Sequence, residues 1–229
     1  MEKEDKLIHL RKAELIFNPN PIGMASFINL TEQDYGKDYR MPLLPELTDL
    51  LYETAQNLED INSREIHSLI KKPYWQLTGN TLVYFFKQGM FVVDEPSMKN
   101  GVPEKYSFKI LEEKLGSCEE NQVIYSKDKK IRFVPNSFKT GKLTNKEFEK
   151  NHGINGIFGG MENSRKLIEI YPAQKDTNPY FTAVNKDHCG ETPIIRVPSM
   201  TFFNYSEDLE ISAVDPIHDA DRFTYKVKK

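Results

Sequence analysis

The sequence predicts an α+β domain, one continuous antiparallel β-sheet with a few helices packed on it. Three observations support this. Runs of β-branched and aromatic residues recur along the chain, several of them in pairs joined by short polar or glycine-containing connections. Helical periodicity is confined to a few stretches. No proline- or glycine-rich linker, repeat or low-complexity segment divides the chain, so residues 1–229 read as a single domain, long enough to bury a substantial core.

The first helix is expected over 43–58. Leu43, Leu47, Leu50, Leu51 and Leu58 follow a 3.6-residue period there, and Pro45 sits in the first turn, where its missing N–H does no harm. A second is expected over 63–71, with Asn62 and Glu65 as a capping box and Pro73 as the stop. Residues 81–86 and 90–93 then form a hairpin around Gly89. The segment 104–115 fits helix or strand equally. A second hairpin pairs NQVIYS with KIRFVP across a Lys127-Asp128-Lys129 turn, an alternation that places Val123, Tyr125, Ile131 and Phe133 on one face. Thr144 and Glu147 repeat the capping-box spacing ahead of a short helical turn. The glycines of HGINGIFGG (152–160) suit tight turns or a close backbone approach to another surface, DNA among the options. Strands are expected at 166–171, 193–198, 200–205, 209–214 and 223–227, which makes the C-terminal third almost entirely β.

Composition excludes several classes. No window approaches the roughly 20 apolar residues of a membrane-spanning helix, so no membrane partner is expected. The N-terminal MEKEDKLIHLRKAELIF lacks the apolar core of a secretory signal. Cys118 and Cys189 show no CxxC spacing, so neither a disulfide framework nor a cysteine zinc site is indicated and a cytoplasmic location fits. The formal net charge of −3 argues against a generally basic coat, but charge is uneven: 127–150 is strongly basic, whereas 45–65 is acidic. Such asymmetry permits a polyanion to bind one face; solvated lysines on the wet side of a hairpin are the plain alternative.

The chemistry-bearing stretch is DPIHDADRF, 215–223, where Asp215, His218, Asp219 and Asp221 crowd between two strand-like runs. They could hold a hard cation, act as an acid/base pair, or form a polar turn that Asp-Pro initiates. A metal-dependent nuclease would need an acid on one strand and acid-x-Lys on the next, for which Asp94 with Glu112-Glu113-Lys114 is the available match. HExxH, EF-hand and P-loop patterns are missing.

His218 followed three residues on by Asp221, in a near-terminal turn of a mostly β chain of this length, resembles the C-terminal active-site pair of the PabI-type restriction DNA glycosylases. The resemblance implies a strongly curved antiparallel sheet of half-pipe form and a homodimer on double-stranded DNA. It further implies recognition of GTAC, extrusion of the adenine and hydrolysis of its N-glycosidic bond, with no metal or other cofactor. Tyr74 matches the family's active-site tyrosine, and Arg40 and Glu65 fall where its arginine and glutamate lie. On this reading Asp221 stabilises an oxocarbenium-like state and orients water, and His218 positions the carboxylate or the water. Tyr74 and Trp75 supply stacking faces for the flipped nucleotide. Arg40, Arg132, Arg165 and Lys166 are candidates to read base edges, and Lys166 could nick the abasic product as an AP lyase. A cognate DNA methyltransferase would protect the host genome. Two other readings stand beside it: a metal-dependent type II restriction endonuclease, and a non-catalytic DNA- or protein-binding β module.

Overall fold

The computed structural model describes residues 39–40, 42–70, 75–94, 96, 98–99, 102–103, 106–170, 178–184, 193–202, 209–213, 222–223 and 227–228. Its helices are α1 (Leu44–Gln56), α2 (Ile61–Ile70), α3 (Phe108–Glu112), α4 (Asn145–Lys150), α5 (His152–Phe158) and α6 (Met161–Ile170). Its strands are β1 (Tyr39–Arg40), β2 (Trp75–Leu77), β3 (Thr81–Phe85), β4 (Gly89–Val93), β5 (Met98–Lys99), β6 (Val102–Pro103), β7 (Leu115–Glu120) and β8 (Val123–Ser126). These are followed by β9 (Ile131–Pro135), β10 (Gly141–Lys142), β11 (Tyr180–Ala183), β12 (Ile194–Arg196), β13 (Ser199–Thr201), β14 (Glu210–Ala213), β15 (Arg222–Phe223) and β16 (Val227–Lys228).

The α+β class holds, but the expected single antiparallel sheet is replaced by two six-stranded ones. Their strand orders are β10-β11-β14-β13-β2-β15 and β12-β3-β4-β9-β8-β7, with the short pairs β1-β16 and β5-β6 beside them. The first sheet is mixed, since β11 pairs with β14 and β15 with β2 in parallel. No closed barrel forms among the described residues. The two sheets share a pair of chain segments. β2 pairs with β13, β3 pairs with β12, and residues 78–80 and 197–198 carry the two antiparallel segments from one sheet into the other through a bend. Thr78 Oγ1 donates to the carbonyl of Pro198 at 3.2 Å inside that bend, and Gly79 N–H donates to Pro42 O at 2.9 Å, tying the bend to the approach of α1.

One core serves both sheets. Leu44, Leu47 and Leu51 of α1, Phe148 of α4, Ile154, Ile157 and Phe158 of α5 and Leu167 of α6 pack with Met200 and Ile211 of the first sheet and Leu82, Met90 and Val92 of the second. Fully burying each such side chain is worth about 1.5–3 kcal/mol. The β3–β4 hairpin is buried on both faces. Its alternate residues Val83, Phe85, Phe91 and Val93 form a second core closed by Leu111 of α3. There Phe85, Phe91, Phe108 and Phe133 meet largely edge to face.

Several expectations need correcting. In the β8–β9 hairpin, Tyr125 lies opposite Arg132 and Ile124 opposite Phe133, one residue off the symmetric register. Lys130 joins the turn because Asp128 accepts its N–H at 3.1 Å while Ser126 Oγ donates to Asp128 at 2.7 Å. A slip of one residue exchanges faces: Val123 and Tyr125 enter the main core, and Ile131 and Phe133 pack on the second. Helix α2 starts at Ile61, capped by Asp60, whose carboxylate accepts Ser63 N–H at 2.8 Å, so the cap is not Asn62. Thr144 and Glu147 do form the expected capping box. The open segment 104–115 divides into α3 and the start of β7.

Residues 166–170, read as strand, belong to α6. Ser164, Leu167 and Ile170 recur at helical spacing and are its buried face. The glycine run is also helical. In α5, Gly153 and Gly156 bring the helix backbone against the protein's own core: a Cβ on Gly153 would lie 2.7 Å from Phe138 Cγ, and one on Gly156 would overlap Val134 Cγ2. Gly159, at φ +75°, ends the helix in the left-handed conformation. Gly156→Ala is therefore expected to destabilise the protein by about 1–3 kcal/mol through overpacking, read as a lowered midpoint in urea denaturation. An unchanged midpoint would mean that α5 can back away from β9 at no cost.

Candidate functional site

The residues on which catalysis would rest fall where the described structure stops. Asp215, His218, Asp219 and Asp221, and also Tyr74, lie outside the described residues. Their chain neighbours are placed. β15 runs parallel to β2 with Arg222 opposite Trp75 and Phe223 opposite Gln76. Asp221 and Tyr74 thus each directly precede one member of a registered pair. β14, which leads into 214–221, ends at Ala213, opposite Ala183 of β11. Arg40 lies on β1 opposite Val227 of β16, a second place where the N-terminal third meets the last residues. Glu65 lies within α2 and Trp75 on β2.

Arg132, Arg165 and Lys166, the other cations singled out in the sequence, all have carboxylate partners within the protein. Arg132 is a correction to the expected base-reading set, because its side chain is 3% exposed and forms an internal ion pair. Its two terminal nitrogens donate to the two oxygens of Asp94 at 2.6 and 2.7 Å, and its Nε donates to the Gly156 carbonyl at 2.7 Å. Asn80 Nδ2 donates to Asp94 at 2.5 Å, and Asn80 Oδ1 accepts Leu44 N–H at 2.7 Å. The cluster joins β9, the end of β4, the bend before β3, the first residue of α1 and the last turn of α5. A guanidinium can serve all these acceptors because its donors are fixed in a planar fork. Near the end of α5 it also meets a carbonyl from the negative pole of the helix.

Asp94 is thereby withdrawn from the nuclease-type metal pattern. Its carboxylate is filled, and Glu112, Glu113 and Lys114 are exposed at the end of α3 and just beyond it. Among the described residues no group of three or more His, Cys, Asp or Glu side chains could hold a metal ion.

Arg165 and Lys166 are surface residues of α6 with carboxylate partners. Arg165 bonds Glu149 at 2.5 Å, which raises the arginine's pKa. Lys166 bonds Asp49 of α1 at 2.8 Å and Glu162 at 3.3 Å, and the Asp49 hydrogen bond raises the lysine's pKa. These pairs help hold α6 against α1 and α4. Near the N-terminus of α5, His152 Nε2 lies 3.1 Å from Ser137 Oγ and its ring meets Phe138 edge-on, which fastens the 136–140 loop to that helix.

The basic segment 127–150 divides between two places in the fold. Lys127, Lys129 and Lys130 occupy the turn at one end of the β8–β9 hairpin. α4 lies toward the other end, where Asn121 Nδ2 donates to the Lys150 carbonyl at 3.3 Å. Strands of this length span about 15 Å. Within α4, Glu147 is held by Lys139 at 2.6 Å and by Thr144, and those hydrogen bonds push its pKa down to about 2. The capping-box spacing signalled this helix in the sequence. The partners that neutralise its acids come from outside it, from Lys139 and Arg165, and no local pattern announces them.

No family model and no curated protein matches this chain. A solved structure does, described as the accommodation of massive sequence variation in Nanoarchaeota by the C-type lectin fold. It aligns at a TM-score of 0.54 and 14% identity, covering 95% of this chain and 96% of the other. At that identity the likeness concerns the fold alone: the architecture here is similar to the C-type lectin fold. No described helix is long and apolar enough to cross a membrane.

Two outcomes follow from these electrostatics. Asp94→Asn, which leaves Arg132 buried without its counter-charge, is expected to cost about 3–5 kcal/mol of unfolding free energy, while the paired replacement Asp94→Leu/Arg132→Met should cost less than that; equal losses would show that packing, not charge, sets the effect. Glu147 has a folded pKa of about 2 against an ordinary 4.5, so its contribution is present above about pH 4.5 and is lost as pH falls toward 2. Glu147→Gln should flatten the stability–pH curve in that acid window and leave its neutral region parallel to wild type.

Proposed function

We propose that this protein is a recognition module that works by binding. Its likeness to the C-type lectin fold carries the reading, because it extends over nearly the whole of both chains. The aligned structure is described as the accommodation of massive sequence variation by that fold. The arrangement of charge agrees. Arg132 and Asp94 serve the interior, and Arg165 and Lys166 serve contacts between helices, which leaves recognition to other surface groups and to the connections between strands.

A second reading, favoured by the in-register pairing of Trp75 with Arg222, is the adenine DNA glycosylase. Asp221 and Tyr74 each directly precede one member of that pair in the chain, and on this reading Asp221, His218 and Tyr74 would act together on the flipped nucleotide. On this reading the bend shared by the two sheets belongs to a half-pipe. The enzyme would act in the cytoplasm as a homodimer on GTAC duplex, balanced by a cognate methyltransferase.

One experiment separates the two. Purified protein is incubated with a GTAC-containing duplex, in EDTA and separately in magnesium, and the products are chromatographed. The binding reading predicts neither free adenine nor strand cleavage in either buffer. Adenine released in EDTA, and abolished by Asp221→Asn, would replace it with the glycosylase.

A further inference from the structure

Helix α4 turns a cationic ridge outward. Phe148 is fully buried and fixes which side of the helix faces the core. At about 100° per residue, Lys146 and Lys150 then project from the opposite side, one turn apart. Glu147 and Glu149 flank them, and each is drawn away by a partner from another element: Glu147 by Lys139 at 2.6 Å, Glu149 by Arg165 at 2.5 Å. Lys142 of β10, just before the helix, is exposed too, and its cross-strand neighbour is Tyr180, 39% exposed. Among the described residues Lys142, Lys146 and Lys150 have no ion-pair partner, so the two acids of α4 are paired while three cations stay outward.

We propose that this ridge of Lys142, Lys146 and Lys150 is a docking surface for the phosphodiester backbone of a nucleic acid. The inference rests on the binding reading and deepens it by naming the partner's chemistry. Lysines act here as point charges, so they attract phosphate without reading sequence. A backbone carrying one negative charge per phosphate complements such a row, and counter-ions released from it would supply the affinity. The exposed Glu119 and Glu120 at the end of β7 limit the track on the Lys150 side, where Asn121 meets the Lys150 carbonyl.

The test is fluorescence anisotropy with labelled single-stranded and duplex oligonucleotides of mixed sequence, over a range of salt. It compares wild type with Lys142→Gln/Lys146→Gln/Lys150→Gln and with an equal charge change elsewhere, Lys109→Gln/Lys114→Gln/Lys127→Gln. The ridge variant should bind several-fold to tens-fold more weakly, and its slope of log affinity against log salt should be shallower by about 2–3 for duplex, roughly 0.9 for each phosphate no longer neutralised. The control variant should follow wild type, and both should keep the wild-type melting temperature within a few degrees. Equal losses in both variants would overturn the ridge in favour of bulk charge. Failure of wild type to bind either oligonucleotide would also overturn it, while leaving recognition of a non-nucleic partner standing. Base release from the GTAC duplex in EDTA would strike the binding reading and not the ridge.

Discussion

The buried pair of Arg132 and Asp94 is the constraint on which the described fold depends. Around it meet the bend by which chain segments pass between the two sheets, the start of α1 and the end of α5. Desolvating two charges is expensive, and their attraction offsets that cost only when geometry is good and the remaining lone pairs are satisfied. Here the carboxylate takes a two-point contact from the guanidinium and a third bond from Asn80. A hydrophobic pair could fill the space, but it would not supply the directional bonds that here reach the Gly156 carbonyl of α5 and, through Asn80, the first amide of α1.

That internal use of charge shapes what the surface can do. A formal net charge of −3 says little about local potential. The fold divides its cations into a buried one that joins elements of the core, others that join helices to one another, and exposed lysines on α4 and β10. The buried cation and the exposed ones are thereby separate sets of residues. Exposed lysines on a helix anchored by Phe148 can change without stranding a buried charge, whereas a change at Arg132 alone leaves Asp94 buried without its partner. The architecture that carries this division is similar to the C-type lectin fold along nearly its whole length.

Much of the local structure was legible in the sequence. The β3–β4 and β8–β9 hairpins, α1 and the Thr144–Glu147 cap follow from alternation, periodicity and cap chemistry acting over a few residues. The failures were of two kinds. KLIEI alternates like a strand, yet α6 packs its Ser164, Leu167 and Ile170 face onto the core, so tertiary packing overrode local pattern. The glycines of α5 looked like turn residues, but they are small because Phe138 and Val134 press on the helix. Arg132 illustrates the limit for site residues. As a lone arginine in a strand it reads as a surface cation, and only its long-range partner, 38 positions away at Asp94, removes it from solvent. Asp221, His218 and Tyr74 lie beyond the described residues, and only the pairing of their neighbours Arg222 and Trp75 bears on them.

Native-state amide hydrogen exchange tests the organising role of the buried pair most directly, at the amides of Leu44, Asp94 and Gly160, whose hydrogen bonds surround it. If the pair locks bend, helices and strands into one unit, these three amides exchange in the wild type only through global unfolding, and in Asp94→Asn they exchange by local opening at a distinctly lower free energy. Exchange by independent local openings in the wild type, or three amides unmoved by Asp94→Asn, would contradict it.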